Sequence, residues 1–414
     1  MNMNIFQIIT FLVVLLASFA YINKKTFNLP LTIGIMLLGT VFSLLILIAN
    51  KISNNAFIEI KNIISTLDFS KIVLEILLSF LLFAGALHTN FEDLKENKAS
   101  IILFSFFSVL ISTFLIAGGL FVVILFFQIN ISFIYCLLFG ALISPTDPIA
   151  VLGILTKLNV PKTAEINIVG ESLFNDGVGV VIFVTLLTMI NQGIENVTFI
   201  KVIELFFVEA IGGVLLGIAL GYLLYMLLKS IDDYEVEVIL TLAAVMGGNS
   251  IAQLLHVSAP LAMVVAGLFT GDKTKKKAMS DKTKVYVEKF WHLIDILMNT
   301  LLFGLIGLKI STIQYQNKFL IIALIIIPVI ILARYISLFI PFSLGKKWIN
   351  FEKKTIYLMT WGGLRGGLSI AMALSINGES EIKSLFVFLT YIIVMFSIFV
   401  QALTLKNIIK AVYK

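Results

Sequence analysis

Five ionisable side chains fall inside long apolar runs of this sequence: Asp147, Glu171, Asp176, Arg334 and Arg365. Holding a charge in hydrocarbon costs from about 2.5 to more than 10 kcal/mol, so such groups persist where they pair with one another or line a polar cavity. Two positive charges face three negative ones, and pairing leaves one carboxylate over. A spare carboxylate in a membrane interior can take up and release a proton or a cation. Asp176 suits that role, in the run Gly170-Glu171-Ser172-Leu173-Phe174-Asn175-Asp176-Gly177. Ser172 and Asp176 lie four apart and share a helix face, with Glu171 and Asn175 on the adjacent stripe. Hard cations such as Na+ take oxygen ligands, by the logic that governs Ca2+ and Mg2+. The Asp176 carboxylate, the Ser172 hydroxyl and backbone carbonyls freed near Thr146 would form an oxygen cage for such an ion.

Those carbonyls come free where the chain cannot stay helical. Ser144-Pro145-Thr146-Asp147-Pro148 puts two prolines three apart in the middle of an apolar run. Each removes a helix hydrogen bond and clashes with a preceding carbonyl, so this span is predicted to split into two half-helices. Trp361-Gly362-Gly363-Leu364-Arg365-Gly366-Gly367 interrupts a later run in the same way, through four glycines. Paired interruptions at corresponding places point to an inverted-repeat transporter with its site near the midplane. Where half-helices cross, partial positive N-termini and partial negative C-termini meet in low dielectric and call for neutralising side chains. Asp147 and Arg365 have the signs required.

The elements that must position these groups are transmembrane helices. At 59% hydrophobic and 13% charged, the 414 residues are too apolar for a soluble domain, in which charged residues reach about 25%. A spanning helix needs about 20 apolar residues, and the runs between polar breaks give thirteen candidates. They cover residues 4–22, 28–50, 71–89, 99–127, 131–156, 165–190, 200–228, 235–256, 258–271, 285–308, 318–343, 355–377 and 383–408. The fold expected is an all-α membrane protein of thirteen helices, with crossed, discontinuous helices 5 and 12. One repeat runs over about 1–190 and its inverted partner over about 235–410, joined by a linker helix at about 200–228. Residues 1–414 then make a single transmembrane domain with no soluble domain. The first run lacks the basic flank and cleavage site of a signal peptide and reads as a retained helix.

Cytoplasmic loops keep an excess of Lys and Arg. Placing the N-terminus outside and the C-terminus in the cytoplasm puts Lys24, Lys25, Lys95, Lys98, Lys162, the cluster from Lys273 to Lys289, Lys346, Lys347, Lys353 and Lys354 inside. The formal net charge of +6 then belongs to a cytoplasmic face beside anionic lipid, and no nucleic-acid partner is called for. The arginines Arg334 and Arg365 both lie within spans, so every surface cation is a lysine. Cys136 can form no intramolecular disulfide and reads as a packed small residue. No cofactor motif is present, and neither HExxH, a nucleophile elbow nor a P-loop marks an enzyme. An intramembrane aspartyl protease would use Asp147 and Asp176, but its Gly-x-Gly-Asp signature is missing. His88 and His292 near inner helix ends, and His256 near an outer one, read as interfacial; Glu204, Glu209 and Asp295 read as interfacial or paired with polar neighbours.

Four motifs in order carry a family resemblance: SPTDPIAV from Ser144, GESLFNDGVGVVIF from Gly170, LARYIS around Arg334, and WGGLRGGLSIAMAL from Trp361. Together they are similar to the monovalent cation:proton antiporters, in the Asn-Asp branch of Na+/H+ exchangers, along essentially the whole chain. The resemblance implies antiport of Na+, or of Li+ or K+, for H+ across the cell membrane, with electroneutral 1:1 stoichiometry and a homodimer. It matches Asp176 to the acid that alternately binds cation and proton, Asn175 to the residue before it, and Thr146 and Asp147 to the unwound helix. Ser172 matches a coordinating hydroxyl, Glu171 and Arg334 a structural ion pair, and Arg365 the arginine at the crossing. Ala84 stands where many members carry an acid in the third span, so a carboxylate from that helix is missing. The alternative is a Na+-coupled solute symporter of related inverted-repeat fold.

Overall fold

The computed structural model describes the chain outside residues 1–4, 53–67, 148–150, 152–154, 156–159, 194–198, 311, 312, 314, 350, 377–380 and 414. Pro148 and most of the predicted second half of the fifth span lie outside the described residues. Among the described residues, ten helices are long and apolar enough to cross a membrane and there is no β-strand. In chain order the helices are α1 Phe6–Phe27, α2 Leu31–Ala49, α3 Phe69–His88 and α4 Lys98–Phe126. The shorter α5 Phe133–Ile143 follows, then α6 Lys162–Gln192, α7 Phe199–Lys229 and α8 Tyr234–Leu254. The chain continues through α9 Ala259–Phe269, α10 Asp281–Lys309 and α11 Asn317–Leu344. Two short helices, α12 Lys354–Trp361 and α13 Gly367–Ser375, precede the last, α14 Glu381–Tyr413.

Polar residues at the predicted span ends start these helices. Asp233 accepts the Glu235 and Val236 amides ahead of α8, Ser258 the Leu261 amide ahead of α9, and Ser280 the Thr283 amide ahead of α10. Each satisfies amides that a helix N-terminus leaves without partners. In a bilayer apolar surface alone does not drive helices together, so close backbone approach and hydrogen bonds between helices must. The seam between α2 and α10 shows both. A Cβ added to Gly307 would come within 2.7 Å of the Met36 carbonyl, and Ser43 donates to the Leu308 carbonyl at 2.7 Å.

Packing sorts the helices into two groups. Helices α2, α3, α8 and α9 pack with α10 or with one another, α1 lies on α2, and α7 lies on α8 and α9. The other group has α4 against α5 and α11, α6 against α5, and α11 to α14 against one another. A cavity lies between the groups, with α3 and α10 on one wall and α6, α13 and the end of α5 on the other, while elsewhere α13 packs on α3 and α6 on α7 and α9.

Two kinds of feature were not anticipated from the sequence. Widened π-helical turns at Ile72–Leu77, Leu103–Ser108 and Ser397–Ala402 interrupt α3, α4 and α14. They redirect single carbonyls without the Pro or Gly that would betray them: the Glu75 carbonyl accepts the Asn249 side-chain amide at 2.5 Å, which ties α3 to α8. The interior also holds ionisable groups beyond the five recognised, since Glu237 and Lys309 are buried near the ends of α8 and α10.

Candidate ion-binding site at the helix crossing

Both predicted interruptions occur. Helix α5 stops at Ile143 before Pro145, and α12 stops at Trp361 with α13 resuming at Gly367. The two breaks touch through the backbone, for the Asp147 amide donates to the Leu364 carbonyl at 2.9 Å. Arg365, only 2% exposed, donates from one guanidinium nitrogen to the Ser144 carbonyl at 2.6 Å and the Pro145 carbonyl at 2.9 Å. It thereby covers carbonyls that the broken helix leaves unsatisfied, at the negative end of the α5 dipole. Asp147 takes the complementary place. A Cβ on Gly366 would fall 2.5 Å from the Asp147 Oδ2, so the glycine lets the carboxylate reach the positive N-terminal end of α13. Gly366→Ala is accordingly expected to displace Asp147 and slow transport by about tenfold or more, since misplacement by about 1 Å carries a large rate penalty. Transport in reconstituted vesicles, with a melting curve to confirm folding, measures it.

Helix α6 presents two faces to this crossing. On its buried face, Glu171 holds Arg334 of α11 through two parallel bonds of 2.5 and 2.8 Å. Ser108, in the widened turn of α4, accepts from the same guanidinium at 3.1 Å. One turn along, the fully buried Asn175 donates its side-chain amide to the Thr146 hydroxyl at 2.8 Å and accepts the Thr146 backbone amide at 3.4 Å. The Thr146 and Ser172 hydroxyls lie 3.3 Å apart. Asn175 is thus a strut that fixes the unwound segment against α6.

The second face lines the cavity, whose volume is about 720 Å³. Lys162, Glu165, Val169, Ser172, Leu173 and Asp176 follow one another along it at helical spacing. At about 1.5 Å per residue this stripe spans roughly 21 Å, from a mouth at Lys162 to Asp176 beside the crossing. Asp147 and Ser369 line the floor with it. The side-chain oxygens at this floor are therefore those of Asp176, Asp147, Ser172 and Ser369, while Thr146 supports them from behind.

The opposite wall offers less oxygen. Gly85 of α3 lines the cavity, and its neighbour Ala84 is fully buried. His88 and His292 face each other near the mouth, with ring centroids 6.2 Å apart. The short helix Phe91–Glu96 borders that mouth and is held on two sides, by Asp93 to Lys162 at 3.0 Å and by Glu92 to Lys276 at 2.7 Å. Glu92 and Asp272 together raise the Lys276 ammonium to about 12. Sequence reasoning did not assign Ser108 to the site, and it read Asp295 as interfacial or paired with a polar neighbour. Asp295 is paired, accepting the Asn299 amide at 3.0 Å, and it also lines the cavity, which the sequence did not show. Its distance along the sequence from every motif concealed this.

Comparison with known proteins gives the family and the fold. The family profile described as sodium/hydrogen exchanger, transmembrane, matches residues 13–411. The Na+/H+ antiporter NhaP of Pseudomonas aeruginosa is 43% identical over 398 residues, covering 95% of this chain and 93% of its own. The antiporter NhaG of Bacillus atrophaeus is 32% identical over 417 residues, covering 98% and 75%. Among solved structures, the sodium proton antiporter MjNhaP1 of Methanocaldococcus jannaschii superposes with a TM-score of 0.77 at 20% identity, over 99% of each chain. The fold and the matched length lead to one assignment: the chain belongs to the sodium/hydrogen exchanger family of membrane transporters, which are not enzymes.

Proposed function

We propose that this protein exchanges Na+ for H+ across the cell membrane, one for one, with Asp176 binding cation and proton in turn. One observation carries the reading: Asp176 opens onto the cavity at the crossing, while Glu171 holds Arg334 and backbone carbonyls hold Arg365. The carboxylate is therefore positioned to take its positive charge from the cavity. Ser172 and Asp147 contribute further oxygens, and Thr146 and Asn175 hold the unwound segment in register. The Na+/H+ antiporters among the relatives favour this reading over a Na+-coupled solute symporter.

The finer architecture is proposed with it. Counting the broken α5 segment as one span and α12 with α13 as another gives thirteen spans, arranged as inverted repeats of about 1–190 and 235–410 around α7. The distribution of lysines supports an N-terminus outside and a C-terminus in the cytoplasm, with the cavity mouth at Lys162 facing inward. The protein works as a homodimer. The test is a vesicle assay reporting internal pH as Na+, Li+ or K+ is added outside. Alkalinisation or acidification driven by a cation gradient alone supports antiport; a requirement for an organic solute overturns it.

Stoichiometry follows from the charges. With Arg334 neutralised and Asn175 unable to titrate, Asp176 carries either H+ or Na+ and is neutral both ways. Na+-dependent proton movement is therefore expected to be unaffected by a valinomycin-clamped membrane potential. A clear voltage dependence would mean that a second group, Asp147 first among them, also exchanges its proton.

A further inference from the structure

Helix α10 lines the cavity with His292, Asp295 and Leu302, and Asn299, one turn on from Asp295, is buried behind that lining. Leu302 marks the depth of the crossing, because it packs against Gly367 at the start of α13. Asp295 lies seven residues earlier, about 10 Å nearer the mouth. It is the one carboxylate that α3 and α10 contribute to the cavity lining. Its Oδ1 accepts the Asn299 amide, and Asp93, the acid at the mouth, is held by Lys162.

Asn299 supplies the second observation. Only 3% exposed, it commits its donor to Asp295, while its Oδ1 finds no hydrogen-bond partner among the described residues. A buried carbonyl oxygen without a donor is costly, and an ordered water or an ion satisfies it. The Asp295 carboxylate at the cavity wall and the spare amide oxygen of the Asn299 bonded to it are two oxygens from which a hard monovalent cation would build part of its shell.

Building on the reading of Asp176 as the exchange site, we infer that Asp295 and Asn299 form a second, outer station for the transported cation. An ion entering from the mouth exchanges part of its water for these oxygens before it reaches Asp176. The station belongs to α10, in the helix group across the cavity from Asp176, so it can hold an ion without taking part in proton exchange. Its effect is to raise cation occupancy near the crossing at low cation concentration.

Two measurements test this. In transport, Asp295→Asn keeps the side-chain shape but removes the charge. It is expected to raise the Na+ concentration for half-maximal exchange by about tenfold, equivalent to about 1.4 kcal/mol, with the saturating rate little changed. Asp295→Glu is expected to recover most of that affinity. A merely structural Asp295 would lower rate and melting temperature together, and an unchanged half-saturation would overturn the station. In binding, crystals of Asp176→Asn soaked in Tl+ are expected to show anomalous density beside Asp295 and Asn299, lost in Asp176→Asn/Asp295→Asn. Absence of that density also overturns the proposal. Failure of the exchange-site reading would look different, because Asp176→Asn would then still transport.

Discussion

Asp176→Asn is expected to abolish Na+-dependent proton movement in proteoliposomes while leaving the protein folded. Asparagine fills the same space beside Ser172, so packing is kept, but it cannot carry a proton between the two sides. Nor can its neutral amide offset the charge of a dehydrated cation in a floor otherwise supplied by Asp147, Ser172 and Ser369. The wild-type protein has a matching signature. Proton and cation compete for one carboxylate, so the Na+ concentration needed for half-maximal exchange rises as pH falls. Once the acid is mostly protonated, the rise approaches about tenfold per pH unit, the limit for competition by a single proton. Exchange at the wild-type rate in Asp176→Asn, or a half-saturation independent of pH, would remove the central claim.

The largest effect on stability is expected at Glu171 and Arg334. Both are nearly inaccessible, and their fork-to-fork geometry is the strongest form of ion pair. Replacing a buried pair by apolar residues can be neutral, but removing one partner strands the other charge and costs about 3 to 5 kcal/mol. Arg334→Ala strands Glu171 and leaves Ser108 without its donor, and Glu171→Gln strands Arg334. Either change is expected to lower the melting temperature in detergent markedly. The exchange Glu171→Arg with Arg334→Glu is expected to restore part of the loss, and unchanged melting in Arg334→Ala would refute the structural role of the pair.

The parts of the site legible in the sequence are those fixed by backbone chemistry and local spacing. Pro145 and the glycines around Arg365 announce the two breaks because no helix accommodates them. The i, i+4 relation of Ser172 and Asp176 places both on one wall whatever surrounds them. The partnership of Glu171 with Arg334 is different, since 163 residues separate them. Charge counting required a partner for each, and only the motif resemblance said which. Asp295 and Asn299 stood in no motif, and their significance comes from α10 facing α6 across a cavity, a tertiary fact. The widened turns in α3, α4 and α14 left no trace for a similar reason, as an extra residue per turn is stabilised by neighbouring helices and not by local composition. Glu237 and Lys309 lie near helix ends, where sequence alone does not separate a solvated charge from a buried one.

Both arginines are locked inside, and every other fixed cation is a lysine. Apart from the buried Lys309, this segregation makes the protein's two electrostatic environments chemically addressable. An amine-directed acylating reagent can discharge the lysine-coated surface while the guanidinium groups, unreactive towards it and shielded, keep their charge. Surface potential and interior charge can therefore be titrated independently on the unmutated protein, and any change in turnover after acylation reports on the approach of ions and lipid rather than on the crossing itself.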